Sequence, residues 1–145
     1  MKTINVLNSP KVYIIAELSA NHNGSLKVAL ETIRAAKRAG ADAIKLQTYT
    51  ADTLSLNSDK PDFSNKTRGT IWDGMTAYEL YEKAHTPWEW HEALFNEAKK
   101  VEIDCFSSPF DPTAVDFLES LECPAYKIAS PEITDIPLIE YVASK

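Results

Sequence analysis

The sequence predicts an α/β chain of parallel βα units, the N-terminal half of a (β/α)8 barrel. Short β-rich runs alternate with segments of helical period, the pattern of parallel βα units. About four such units fit in the 145 residues, whereas a closed barrel takes about 250. Ionisable and hydroxyl residues gather at the C-terminal ends of the β-rich runs, where parallel folds of this kind keep their chemistry. An open four-stranded parallel sheet satisfies the same count and is the competing architecture.

The first run is Val12 to Leu18, VYIIAEL, and it ends on Glu17. NHNGS then turns the chain, and Leu26, Ala29, Leu30, Ile33 and Ala36 recur at helical spacing until Gly40 supplies a stop. Strand two, Ala43 to Thr48, reads AIKLQT. Its period of two sets Ala43, Lys45 and Gln47 on one face and Ile44 and Leu46 on the other.

From Tyr49 to His85 the chain is polar and irregular, with NSDKPDF and RGTIWDG ahead of a short helical run, TAYELYEKA. A connection of that length reads as a functional loop or lid. Trp72, Tyr78 and Tyr81 within it read mostly as packing residues. Thr86 as N-cap, Pro87 at the first helical position and Glu89 three residues after the cap predict a capping box. The stripe that follows is Trp88, His91, Leu94, Phe95, Ala98 and Val101. Strand three is Ile103 to Ser107, Asp111-Pro112 opens the next helix, and strand four is Tyr126-Lys127-Ile128-Ala129-Ser130-Pro131-Glu132. A last helix capped by Asp135 begins at Ile136 and Pro137 and runs to Lys145. Nothing in this pattern divides residues 1–145 into separate domains.

Composition narrows the function. Apolar residues at 44% and charged residues at 25% belong to an ordinary folded chain. The net charge of -6 and the absence of a Lys/Arg run speak against a nucleic-acid partner. No apolar stretch approaches the roughly 20 residues of a membrane span, and MKTINVLNSPK lacks a signal-peptide core. A cytoplasmic protein is expected. Cys105 and Cys123 are too few for a disulfide framework or a zinc site and read as reduced core residues.

Strand four poses the functional question, because a lysine inside an apolar run, followed at once by serine and glutamate, serves no packing need. Taken singly, Glu17, Lys45, Ser107-Ser108, Lys127, Ser130 and Glu132 each have an ordinary structural reading as surface charge, ion pair or strand exit, and NHNG reads as an ordinary turn. Four successive strand ends carrying such groups on one rim is a different matter. Two lysines with hydroxyls suit a phosphate or carboxylate, and two glutamates suit acid and base work. His22, His85 and His91 show no metal-ligand spacing, and His91 reads as a satisfied structural histidine on its helix stripe.

IAELSANHNGS, IKLQTYT, CFSSPF and AYKIASPE, in this order, resemble the strand-end motifs of the sialic acid (nonulosonate) synthase family. The resemblance runs from about Val12 to the last residue. YELYEKAHTPWEWH and SLNSDKPDF are similar to its pseudaminic acid synthase branch. The resemblance implies an enzyme that condenses phosphoenolpyruvate with an open-chain N-acetylated amino sugar and releases phosphate, with Mn2+ or Mg2+ assisting. It places Lys45, Gln47, Ser108, Lys127 and Ser130 around phosphoenolpyruvate. It places Glu17 where the family orients or deprotonates the attacking water, and Glu132 near the sugar's reacting carbonyl.

The same resemblance implies that the metal ligands lie outside this chain, in the second half of the barrel. A C-terminal antifreeze-like domain and a homodimer belong to the full-length family pattern as well. Residues 1–145 are therefore expected to form the N-terminal part of the synthase domain and not to complete a turnover alone. N-acetylneuraminate or legionaminate synthesis are alternatives within the family. A Schiff-base aldolase using Lys45 or Lys127 and a half-barrel that only binds are alternatives outside it.

Overall fold

The computed structural model describes residue 4, residues 10–64 and residues 69–145. Most of the N-terminal segment weighed for a signal peptide, and Arg68 of RGTIWDG, lie outside the described residues. Three parallel strands, β1 (Ile15–Glu17), β2 (Ala43–Thr48) and β3 (Asp104–Pro109), form a sheet in the order β1-β2-β3. Six helices accompany them among the described residues: α1 (Leu26–Arg38), α2 (Ala51–Leu54), α3 (Ala77–Ala84), α4 (His91–Lys100), α5 (Pro112–Ser120) and α6 (Ile136–Ala143). The alternation expected from the sequence is thus present, as parallel strands joined by helices.

Helix α1 shows why its boundaries were readable. Ser25 accepts the Val28 N–H at 3.3 Å and caps the start. At the other end Gly40 adopts φ +89°, with Gly40 N–H on the Lys37 carbonyl (3.0 Å) and Ala41 N–H on the Ala36 carbonyl (3.1 Å). These two bonds satisfy last-turn carbonyls through a left-handed residue that glycine adopts without strain, and they turn the chain into β2.

The helix-facing core joins Ile33 of α1, Ile44 and Leu46 of β2, Leu94 and Ala98 of α4, and Cys105 of β3, all buried. Arg34 of α1 and Glu97 of α4 make an ion pair at 2.6 Å above it. A second cluster gathers Ala43, Phe106, Leu118 and Cys123. Both cysteines are free and buried, and burial pushes the Cys123 thiol up to about 11.

Four expectations are corrected. The first strand spans Ile15–Glu17 and not Val12–Leu18; Val12 is 86% exposed, and among the described residues β1 has no neighbouring strand on its outer side. The third runs Asp104–Pro109, one residue later at its start and two at its end. The fourth does not form. Only a parallel bridge between Ser107 and Tyr126 and a Lys127 N–H to Ser107 carbonyl bond at 3.1 Å survive. Among the described residues no strand lies on the far side of this segment to complete its ladder, and a 3-10 turn with Pro131 in its first turn runs over Ser130–Thr134 instead. Finally, no capping box forms at Thr86. Its buried hydroxyl donates to the Ala20 carbonyl at 2.8 Å, and Pro87 precedes a 3-10 turn, Trp88–Trp90, ahead of α4. The reciprocal box occurs at Thr76 and Glu79, at the start of α3. By contrast Asp111 and Asp135 cap α5 and α6 as read from the sequence, Asp111 Oδ1 accepting the Thr113 N–H at 2.8 Å and Asp135 Oδ1 the Leu138 N–H at 3.1 Å.

Leu46 is fully buried between the sheet and two helices. Leu46→Ala is expected to destabilise the fold by about 3 kcal/mol, from lost burial together with the cavity left behind, as read by urea denaturation.

Candidate functional site

The parallel register arranges the candidate residues in rows on the face of the sheet opposite the helices. Glu17 is opposite Lys45, and Lys45 is opposite Phe106. One step further toward the strand ends Gln47 is opposite Ser108. Strand alternation keeps Lys45 and Gln47 off the helix-packed face that Ile44 and Leu46 occupy.

Lys45 is only 8% exposed, and its Nζ lies 3.0 Å from Glu17 Oε1. An ammonium that far from water needs a partner, and the neighbouring strand supplies it. Glu17 itself is half exposed. The Ser19 hydroxyl, donating to Oε1 at 2.7 Å, and then Lys45, hold its carboxyl below the usual carboxylate range, with Lys127 adding a smaller pull. Glu17 is therefore a persistent anion at neutral pH.

Glu132 is its opposite. Burial raises its carboxyl above the usual value, only partly offset by its own backbone N–H and by Lys127. Its Oε2 is buried without a hydrogen-bond partner among the described residues. Ser108 Oγ is orphaned in the same way on a residue 1% exposed. Native interiors rarely leave such atoms unpaired, so both mark places where a bound group would complete the bonding. The two carboxyl groups are thus shifted in opposite directions, with Lys127 exerting a lowering pull on both.

A cavity of about 390 Å³ opens on this face, lined in part by Glu17, Lys45, Phe106, Tyr126 and Lys127. It unites Glu17, Lys45 and Lys127 of the sequence-predicted set. Gln47, Ser108, Ser130 and Glu132 are not in its lining: Gln47 and Ser108 sit one row nearer the strand ends, and Ser130 is exposed at the head of the 3-10 turn that also carries Glu132. No group of three or more His, Cys, Asp or Glu residues suited to a metal occurs among the described residues.

The segment read as an ordinary turn after β1 is more unusual than its composition suggested. Ala20, His22 and Asn23 all have φ between 50° and 65°, and Gly24 follows at φ 71°. Left-handed backbone is costly for non-glycine residues and persists where surrounding structure enforces it. Here Asn21 donates from Nδ2 to the Lys83 carbonyl and Thr86 grips the Ala20 carbonyl, so the end of α3 and the residues after it hold the loop. Among the described residues His22 Nε2 is buried without a partner, with burial lowering the imidazole's pKa, and Asp111 Oδ2 beyond β3 is buried without one as well. Sequence reasoning missed both. The signal was there in NHNG, since Asn and His are enriched among the non-glycine residues that tolerate positive φ; for Asp111 the helix-cap reading accounted for one carboxylate oxygen and left the second unexamined.

A parallel sheet with cations, carboxylates and one buried, unpartnered hydroxyl at its strand ends places this chain among the α/β proteins that keep their polar groups at that rim. Within that class the chain belongs to the NeuB family, whose model matches residues 32–145. It is 54% identical over its whole length to a pseudaminic acid synthase of Campylobacter jejuni, spanning 42% of that protein. It is 53% identical to the pseudaminic acid synthase of Helicobacter pylori, with 95% of this chain and 39% of that one covered. An N,N'-diacetyllegionaminic acid synthase of Legionella pneumophila is 38% identical over 139 residues, 95% of this chain and 38% of that protein. Among solved structures, the N-acetylneuraminic acid synthetase of Leptospira borgpetersenii in complex with citrate aligns with a TM-score of 0.77 at 29% identity, covering 99% of this chain and 46% of that one. The chain thus spans less than half the length of these relatives, as half of a barrel would.

The raised carboxyl of Glu132 carries a stability signature. A folded-state pKa above the unfolded value favours the fold while the group is protonated, and that contribution is lost as pH rises through the folded pKa. Glu132→Gln is therefore expected to raise the thermal midpoint relative to wild type at pH 7 to 8 and to leave the difference near zero below the unfolded carboxylate range, measured by thermal melts across pH.

Proposed function

We propose that this chain is the phosphoenolpyruvate-binding part of a nonulosonate synthase of the pseudaminic acid type, joining phosphoenolpyruvate to an N-acetylated amino sugar and releasing phosphate. The observation that carries the reading is the pair of buried, unpartnered oxygens, Ser108 Oγ and Glu132 Oε2, on a rim that also holds Lys45 and Lys127. Two ammonium groups and free hydroxyls are what a phosphate-bearing carboxylate needs, since fixed cations stabilise the charge that grows as phosphate departs. In this reading Lys45, Gln47, Ser108, Lys127 and Ser130 hold phosphoenolpyruvate. Glu17, kept charged by Ser19 and Lys45, orients or deprotonates the attacking water. Glu132, reluctant to ionise, faces the sugar's carbonyl and can hold a proton there.

The pseudaminic branch is favoured over the legionaminic and N-acetylneuraminic ones by identities of 53% and 54% against 38% and 29%. The citrate bound by the Leptospira relative is itself a polycarboxylate, in keeping with an anion site. A Schiff-base aldolase fits less well, because Lys45 is engaged by Glu17 at 3.0 Å and an amine nucleophile must first shed its proton. A divalent metal, Mn2+ or Mg2+, would serve as Lewis acid with ligands from outside this chain. A homodimeric, cytoplasmic enzyme of sugar-acid biosynthesis completes the proposal; among the described residues no helix is long and apolar enough to cross a membrane.

Phosphate release from phosphoenolpyruvate by the product of the complete reading frame, with manganese and either N-acetylmannosamine or the diacetamido-trideoxy-altrose precursor of pseudaminic acid, tests the reading. Release with the latter sugar is expected, with a loss of about 100-fold or more in Lys45→Met. Release with neither sugar overturns it, and trapping of a keto acid on Lys45 or Lys127 by borohydride would install the aldolase in its place.

A further inference from the structure

The helix-facing side of β2 and β3 is apolar along most of its length and turns polar at its C-terminal end. There Thr48, Ser107 and His91 are buried to 0% exposure. Thr48 Oγ1 lies 2.9 Å from His91 Nε2 and 2.7 Å from Ser107 Oγ. His91 Nδ1 is 3.3 Å from the Pro87 carbonyl. With the ring proton on Nδ1, Nε2 accepts from the Thr48 hydroxyl and Thr48 in turn accepts from Ser107. Burial lowers the imidazole's pKa, in keeping with the neutral ring this requires.

Stability alone does not call for such a triad, because apolar groups of the same shape in place of a satisfied buried hydrogen-bonded set are often close to neutral. What hydrogen bonds add is direction. The ends of these strands need it. The last register pair is Thr48 with Pro109, and a proline brings no N–H to a ladder. Thr48 and Ser107 are the chain neighbours of Gln47 and Ser108, which point to the other face of the sheet. The Ser107 carbonyl also receives the Lys127 N–H, and Trp88, one turn before His91, donates from Nε1 to the Tyr49 carbonyl at 3.1 Å. The start of α4 thus grips the exit of β2 at two successive residues.

We propose that the Ser107–Thr48–His91 chain is a positioning device that aligns the ends of β2 and β3, and through them Gln47, Ser108 and the Lys127 backbone. What those residues bind rests on the phosphoenolpyruvate reading; the alignment itself does not.

Thr48→Val removes the hydroxyl at nearly constant volume, and Thr48→Ser retains it. The readouts on the full chain are amide hydrogen exchange and calorimetric titration with phosphoenolpyruvate. In Thr48→Val, exchange at residues 46–49 and 106–108 is expected to accelerate about tenfold with the middle of α4 unchanged, and the phosphoenolpyruvate Kd to rise about tenfold, the loss of one buried hydrogen bond. Thr48→Ser restores both. Wild-type exchange and affinity in Thr48→Val overturn the proposal, as does uniform acceleration along the chain with an unchanged Kd. A wild-type chain that takes up no phosphoenolpyruvate defeats the binding reading and leaves exchange to decide the alignment. Should Thr48→Val not fold, His91→Gln, whose amide oxygen can accept the Thr48 hydroxyl, is compared with His91→Leu, which cannot; equal behaviour of these two overturns the proposal.

Discussion

A lysine buried in the central strand is the constraint on which the rest of the site depends. Lys45 sits in a strand with neighbours on both sides and is almost excluded from water, and an unpaired ammonium there would be intolerable. Its partner, Glu17, is in the adjacent parallel strand at the same register. The pairing sits within the ladder that holds Ile15–Glu17 against β2. The ion pair is partly open to water on the Glu17 side, so its contribution is orientation more than stability.

The remaining electrostatics follow from that first pair. With Lys45 engaged, Glu17 is held ionised, and Lys127 acts on both glutamates. Glu132 comes from a 3-10 turn beyond β3 and is denied strong donors, so its acidity moves the other way. One rim consequently carries a committed anion, a reluctant acid, two cations and an unsatisfied hydroxyl. Each polar atom left without a partner is a local cost that a ligand would relieve.

The segments around the rim are fastened to one another more than to the core. The aromatic ring of Tyr49, just past β2, meets Tyr81, His85 and Phe110 edge-on at 5.5 to 6.4 Å. Trp88 stacks on Phe117 at 4.8 Å while bonding the Tyr49 carbonyl. The end of α3 and Thr86 in turn restrain the left-handed loop after β1. Three connections that are distant in sequence thus share their anchors, and a change at one is felt at the loop that holds His22.

Much of this was legible in the order of residues. The βα alternation, the caps at Asp111 and Asp135, the stop at Gly40 and the facing of Lys45 away from Ile44 and Leu46 depend on local periodicity and local hydrogen bonds, which a linear sequence encodes directly. What the sequence could not decide was anything settled by a partner far along the chain. YKIASPE has the composition of a strand, yet a strand needs neighbours, and with β3 alone beside it among the described residues the segment keeps a single bridge. Thr86 has the pattern of a helix cap, yet its hydroxyl is claimed by a strained carbonyl 66 residues away. Local chemistry determined which elements and which rim this chain would have; tertiary contact decided which buried polar atoms were paired and which were not, because those partners come from segments far apart in the chain.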